Sequence, residues 1–180
     1  MSAVRPLVLD ASAVFNLGHR GQLLDVWEKL AAARQLIVTP EVTREVTLKP
    51  RADFDYRKQL GKLCTVWDAP LPHIGKIPPE YQSVLGPGEL SVLGLAHEKQ
   101  WEAVIDEAGG RAAAAVIGVR VKGTLGLLEM ADQAGWLSLA ECMEAVWRLK
   151  NAGFFLPVKP GANDEFPEYL VKVKQKVAGT

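Results

Sequence analysis

Short apolar runs alternate along the chain with longer segments whose apolar residues recur at helical spacing. The first run, Leu7 to Leu9, leads directly into Asp10. An apolar run that does not alternate with polar residues is typical of a strand covered on both faces. We therefore expect strands at 7–10, 35–40, 101–106 and 119–123, and helices at 22–33, 41–46, 88–100, 109–118, 124–137 and 139–153.

Residues that favour helix starts stand before several of these segments. Ser12, Thr39 and Thr124 are expected N-caps, because their hydroxyls can accept a hydrogen bond from a free amide of the first turn. Pro40 suits the first turn that follows Thr39. Short strands that alternate with helices of this length predict βαβ units, and hence an α/β fold with a parallel sheet.

The 180-residue length is that of one domain, which we expect at 1–153. Within it, residues 49–87 are the least regular part. A helix is expected at 51–63 and a strand at 64–70, followed by a Pro-rich loop. Residues 154–180 are expected to form a C-terminal tail in which a short helix carries Lys172, Lys174 and Lys176.

Composition and charge narrow the classes of function. Lys plus Arg number 21 and Asp plus Glu also number 21, so only local charge could support nucleic-acid binding. No secretory segment and no run of ~18 apolar residues is present, so we expect a cytoplasmic protein that does not cross a membrane. Cys64 and Cys142 form no CxxC pair and are expected to be reduced, and the histidines show no zinc-site spacing.

Two acids end predicted strands. Asp10 follows the first strand and Asp106 ends the strand at 101–106. Carboxyl ends of parallel strands meet at one edge of the sheet, where open α/β sheets bind their ligands. We therefore expect both carboxylates at that edge.

Two further acids lie near helix starts. Glu89 falls in the first turn of the helix at 88–100, where the helix dipole favours a negative charge. Glu45 lies roughly 80° from the centre of the apolar face of the helix at 41–46, whereas Glu41 lies roughly 120° away. We therefore expect Glu45 to reach over the sheet edge and Glu41 to stay in solvent.

Four carboxylates at one cleft could not all remain ionised without a counter-charge. A divalent cation would supply it, and ligation by oxygen alone favours Mg²⁺ or Mn²⁺. Such sites suit phosphodiester hydrolysis, because the metal generates hydroxide and stabilises charge on the attacking and leaving oxygens. Each acid taken alone could equally be a helix cap or a loop residue, so the interpretation depends on their lying together.

The chain resembles PIN-domain proteins, especially the VapC-like branch of prokaryotic toxin ribonucleases. The resemblance spans residues 7 to about 137. The most specific segment has an acid pair, an Arg a few residues on, an Ala-rich helix and then "GTLGLL". The segments that carry the resemblance are "LVLDASAVFNL", "LIVTPEVTREV", "LGPGELSVLGLAHE" and "AVIDEAGGRAAAAVIGVRVKGTLGLLEMADQAGWL".

The resemblance implies a three-layer α/β/α sandwich around a central parallel sheet, an acidic pocket that holds Mg²⁺ or Mn²⁺, and RNA endonuclease activity. The family's hydroxyl position falls on Ser12. Its metal-holding acids fall on Asp10, Glu89 and Asp106, and Glu107 is the alternative to its neighbour Asp106. The catalytic acids are then Asp10, Glu45, Glu89 and Asp106.

Basic residues indicate where RNA phosphates would lie. Arg20 and Arg44 are expected to contact phosphates, and Arg111 either to steady a phosphate or to pair with a site carboxylate. A solvated helix face is the equal alternative for the basic stretch from Arg44 to Lys62, which also contains Lys49, Arg51, Arg57 and Lys58.

The resemblance also implies partners: RNA, a second copy of the chain and, for a toxin, an antitoxin protein. The chain is longer than most stand-alone toxins of this type, through residues 49–87 and the tail. The alternative function is a PIN-fold nucleic-acid-binding or scaffold protein without cleavage activity. A phosphotransfer receiver domain would need an acidic pair on the first strand, and Leu9 precedes Asp10 instead.

Overall fold

A five-stranded, all-parallel sheet lies at the centre of the protein. The computed structural model describes residues 5–20, 22–48, 54–69 and 74–154. The strand order is β3-β2-β1-β4-β5, which confirms the predicted α/β/α sandwich. The strands are β1 (Leu7–Leu9), β2 (Leu36–Val38), β3 (Thr65–Val66), β4 (Glu102–Val104) and β5 (Val121–Lys122).

Helices connect successive strands. The chain runs from β1 to β2 and β3 in one direction and from β4 to β5 in the other, so right-handed crossovers place helices on both faces of the sheet. The α-helices are α1 (Ala11–Phe15), α2 (Leu24–Ala33), α3 (Pro40–Leu48), α4 (Tyr56–Leu63), α5 (Pro79–Gln82), α6 (Pro87–Lys99), α7 (Ala108–Ile117), α8 (Thr124–Gln133) and α9 (Leu139–Asn151). A π-helical turn spans Asn16–Arg20 and a 3₁₀ turn spans Ile74–Lys76.

The central strands are apolar because both of their faces are covered. All residues of β1 are fully buried, as are Val38 in β2 and Val104 in β4. α3 contributes one face to this core, through the fully buried Val42 and Val46, whereas α6 is buried all round from Ser91 to Ala96. α3 and α6 also pack against each other.

Two predicted N-caps are wrong, and the reason is the same. The side chain of Asp10, not Ser12, caps α1, so β1 ends at Leu9 rather than at residue 10. Gly123, not Thr124, is the N-cap of α8. Ser12 and Thr124 are instead engaged by the acids that follow β1 and β4. The prediction for Thr39 is confirmed, since its Oγ1 accepts from the Val42 amide at 3.2 Å.

The segment 49–87 contributes to the sheet. Its predicted helix and strand are confirmed as α4 and β3, and β3 pairs in parallel with β2. The Pro-rich part, predicted as a loop, contains the 3₁₀ turn and α5. The tail prediction lies outside the described residues, as do Lys49 and Arg51 of the basic stretch.

Two ion pairs join α9, the last described helix, to α2. Arg148 forms a two-pronged ion pair with Asp25, with nitrogen–oxygen distances of 2.9 and 3.0 Å. Lys29 pairs with Glu141. Trp147 remains 44% exposed. In the part of the chain that the structure describes, no helix is both long and apolar enough to cross a bilayer.

Candidate active site

Asp10 and Asp106 lie at the switch point of the sheet. β1 and β4 are neighbours, but the chain leaves them in opposite directions, toward β2 and β5. A crevice forms at such a point outside the carboxyl ends of the strands. The Asp10 amide donates to the Val104 carbonyl at 3.0 Å, which fixes the end of β1 beside the end of β4. The predicted edge position of these two acids is confirmed.

The Asp10 carboxylate is buried and only half satisfied. It is 2% exposed. Its Oδ2 accepts from the Ser12 hydroxyl at 2.8 Å and from the Ser12 amide at 3.3 Å. Its Oδ1 is inaccessible to solvent and accepts no hydrogen bond from the described residues. Burial raises the pKa of Asp10, and the negative charge of Asp106 adds to the rise, while the Ser12 hydrogen bonds oppose it.

The Asp106 carboxylate is fully engaged. Oδ1 accepts from the Thr124 amide at 2.7 Å, and Oδ2 accepts from the Thr124 hydroxyl at 2.6 Å and from Asn16 Nδ2 at 3.0 Å. The Asp106 amide donates to Ser12 Oγ at 3.4 Å. Ser12 thus contacts both acids.

Asn16 and Thr124 were missed as site residues. Asn16 Nδ2 also donates to Thr124 Oγ1 at 3.1 Å, and both side chains are buried. A signal for Asn16 existed, because it interrupts the apolar run "AVFNL" with an amide that a buried position must satisfy. Thr124 was singled out, but for helix capping rather than for binding Asp106.

Glu45 reaches the site across a glycine. The residue is exposed on α3, but its Oε2 lies 2.7 Å from the position that a Cβ on Gly88 would occupy. Asp10 Oδ1 lies 3.8 Å from the same position. The absence of a side chain at Gly88 therefore allows both carboxylates to approach the start of α6.

Glu89 sits at the start of α6. Its Oε2 accepts from the Gly86 amide at 3.1 Å, as expected for an acid in a first helical turn. Its Oε1 lies 2.8 Å from the Cβ position of Gly110 in α7. Burial raises the pKa of Glu89, the Gly86 hydrogen bond opposes the rise, and the charges of Asp10 and Glu107 reinforce it.

The expectation that Glu41 stays in solvent is wrong. Its Oε2 atom is inaccessible to solvent and accepts no hydrogen bond from the described residues. The prediction used only the angular position of Glu41 on an isolated helix and took no account of the residues that pack against α3. Glu107 caps α7 without a side-chain hydrogen bond and is exposed.

A cavity of about 900 Å³ adjoins Asp106. Arg20, Glu107 and Arg111 line it, which brings these predicted residues together. Arg44 is exposed on α3 and does not line this cavity. Arg111 Nη1 and Asp106 Oδ1 lie 3.1 and 2.8 Å from the Cβ position of Gly123, so the guanidinium stands beside the acid.

The four acids are of the ligand type that a divalent cation prefers, but their side chains do not all lie close together. Across the described residues, no group of three or more His, Cys, Asp or Glu side chains is close enough to hold a metal ion. However, Asp10 Oδ1 is a buried anionic oxygen without a donor, and every candidate ligand is a carboxylate, as Mg²⁺ and Mn²⁺ prefer. The chemistry of these residues therefore suits such an ion, although the described side chains do not form a metal-binding cluster.

A protein-family model matches most of the chain. The family model DUF3368, described as a PIN domain, matches residues 6–161. A search of curated proteins found no match. The matched range includes every acid placed at the site above.

Proposed function

Because the chain belongs to the PIN-domain family, a family with a nuclease fold, we propose that it is an endoribonuclease that depends on Mg²⁺ or Mn²⁺. Asp10, Glu89 and Asp106 would hold the metal, and Glu45 would complete the catalytic acids. The proposal concerns the reaction and the metal; the fold and the family stand independently of it.

The observation that carries the proposal is the unsatisfied Asp10 oxygen. A buried carboxylate oxygen without a hydrogen-bond donor is costly. Glu45 and Glu89 lie on the same side of the switch point, which adds negative charge rather than relieving it. A cation bound at Asp10 Oδ1 would offset the free-energy cost of burying this charged oxygen.

When bound, the metal would supply a hydroxide nucleophile and stabilise the charge that develops on the phosphate oxygens. The residues of the chain prepare the site. Ser12 orients the Asp10 carboxylate by donating a hydrogen bond to Oδ2, which leaves Oδ1 without a hydrogen-bond donor among the described residues. Thr124 and Asn16 fix the rotamer of Asp106. Arg111 stands beside Asp106, where it can bind a phosphate.

Cleavage of RNA in Mn²⁺ tests the proposal. Asp10→Asn should lower the cleavage rate at least about a hundredfold, because the variant keeps the helix cap but removes the charge. Asp68→Asn, at an exposed position, is the matched control and should cleave like the wild type. Equal cleavage by Asp10→Asn and wild type, or cleavage that persists in EDTA, would refute the assignment.

We further propose that the chain is the toxin of a toxin–antitoxin pair and acts as a homodimer. The support is the resemblance of its motifs to the VapC-like branch. Induced expression of the wild type should stop growth, and expression of Asp10→Asn should not. A growth effect that is the same for both would exclude toxicity through RNA cleavage.

A PIN-fold binding or scaffold protein without cleavage is the second candidate. The observation in its favour is the spacing of the acids, which do not form a metal cluster among the described residues. Calorimetry separates the two candidates. Mn²⁺ binding at micromolar to low millimolar concentrations supports the nuclease, whereas no binding at millimolar Mn²⁺ supports the scaffold.

A further inference from the structure

The cavity beside Asp106 has the chemistry of a nucleotide site. Its volume, about 900 Å³, falls in the range of small-molecule pockets. Its walls come from β5, from α7 and α8, and from the residues after α9. Because Asp106 and Ser12 also line it, a ligand there would lie directly beside the proposed catalytic acids.

One part of the wall is apolar. Val121, Leu125 and Phe154 line the cavity, and all three are partly buried against the core. Packing against the core holds them in place while part of each side chain faces the cavity. An aromatic ring in such a wall offers a stacking surface for a base of any identity.

Two arginines provide positive charge in another part of the cavity wall. Arg20 and Arg111 line the cavity, are exposed, and form no ion pair with any residue that the structure describes. Lys122 also lines it, but its ammonium lies 3.6 Å from Glu102. The two arginines are therefore the cations that remain for a phosphate, to which a guanidinium can donate two hydrogen bonds.

Acids in the same wall restrict where a phosphate could sit. Glu107 and Glu129 line the cavity with Asp106 and would repel an anion. A phosphate is then favoured only at the arginines, and the remainder of the ligand must be uncharged. A nucleotide unit, with one anionic group and an apolar, flat base, meets this requirement.

We propose that this cavity binds one nucleotide unit of single-stranded RNA, with its phosphate on Arg20 and Arg111 and its base against Phe154 and Leu125. The inference rests on the proposed function in that it takes RNA as the ligand. It does not require cleavage, since none of these residues is a proposed metal ligand.

Fluorescence anisotropy with a fluorescein-labelled RNA hexamer tests the site in EDTA, where no metal-dependent cleavage occurs. Arg20→Ala and Arg111→Ala should each weaken binding about tenfold and lower the salt slope by about one. Arg120→Ala removes an exposed arginine just before β5, outside the cavity and outside the basic stretch from Arg44 to Lys62, and should leave binding unchanged. Phe154→Leu keeps an apolar side chain but removes the ring, and should weaken binding about tenfold.

The outcomes separate this inference from the nuclease proposal. Loss of binding in the cavity variants, without loss in Arg120→Ala, supports the site even if the protein proves unable to cleave RNA. No binding of the hexamer by the wild type overturns it. An equal loss in Arg120→Ala and Arg111→Ala also overturns it, because binding would then reflect overall charge. Thermal unfolding of each variant shows that it is folded.

Discussion

Asp10 and Asp106 follow neighbouring parallel strands, yet their carboxylates differ in how many of their oxygens accept hydrogen bonds. Both oxygens of Asp106 accept hydrogen bonds from Thr124 or Asn16. Asp10 has one oxygen bonded to Ser12 and one with no donor among the described residues. One acid is therefore held in a fixed orientation, while the other retains an unmet requirement for positive charge.

Replacing Asp10 by Asn should stabilise the protein at neutral pH. The raised pKa of Asp10 means that the folded state favours its protonated form, so its ionised form disfavours folding. We expect the free energy of unfolding to rise by about 1 kcal/mol and the melting temperature by roughly 2–4 °C. The amide keeps the N-cap, whereas Asp10→Ala loses it at a cost of about 1 kcal/mol.

The same prediction has a definite pH dependence. A group with a raised folded pKa stabilises the fold fully below its unfolded value, 3.8 for Asp10, and loses that contribution as pH rises through the folded value. The advantage of Asp10→Asn should therefore shrink as pH falls toward 3.8. Urea unfolding at several pH values measures it; an advantage that grows on acidification contradicts the assignment.

Thr124→Val should destabilise the protein, because it leaves the part-buried Asp106 Oδ2 without its shortest hydrogen bond. The cost of removing one partner of a charged hydrogen bond is about 1–3 kcal/mol. Thr124→Ser restores the hydroxyl and should recover most of this loss. Urea unfolding of the two variants is the measurement, and equal stability of Val and Ser would show that the hydroxyl contributes nothing.

The positions of Asp10 and Asp106 could be predicted because they depend on where apolar strands end, which the sequence displays. The parallel order of the sheet followed from the same alternation. What the sequence did not display is which side chains meet. Asn16 and Asp106 are 90 residues apart, and their contact depends on β1 and β4 lying side by side at the switch point.

Glu45 and Glu41 illustrate the same limit. Helix periodicity favoured Glu45 as the acid able to reach inward; the residue is exposed, but Gly88 leaves room for its Oε2 near Asp10. Periodicity could not reveal that Glu41 Oε2 also becomes buried. Whether a side chain near the end of a helix is buried depends on the neighbouring elements as well as on its angular position around the helix axis.

Gly88→Ala should impair the site without unfolding the protein. The new Cβ would lie 2.7 Å from Glu45 Oε2, so the flexible end of Glu45 must move away. We expect RNA cleavage and Mn²⁺ affinity each to fall about tenfold with a change in stability under about 1 kcal/mol. Gly61→Ala is the control, because nothing lies within 4 Å of its Cβ position and helix propensity favours Ala by about 0.5–1 kcal/mol. Equal activity of Gly88→Ala and wild type would exclude Glu45 from the site.

Mn²⁺ affinity should rise with pH, because a metal ion displaces protons from its carboxylate ligands. The pKa values of Asp10 and Glu89 are raised above 3.8 and 4.5, so these groups keep protons to higher pH than exposed carboxyls do. As pH rises from the acidic range we expect tighter binding, at most about tenfold per pH unit for each proton displaced, and proton release that declines once the raised pKa values are passed. Calorimetry in two buffers of different ionisation enthalpy measures both. Glu89→Gln should reduce the dependence, and Mn²⁺ binding that releases no protons at any pH and has a pH-independent affinity would argue against Asp10 and Glu89 as ligands.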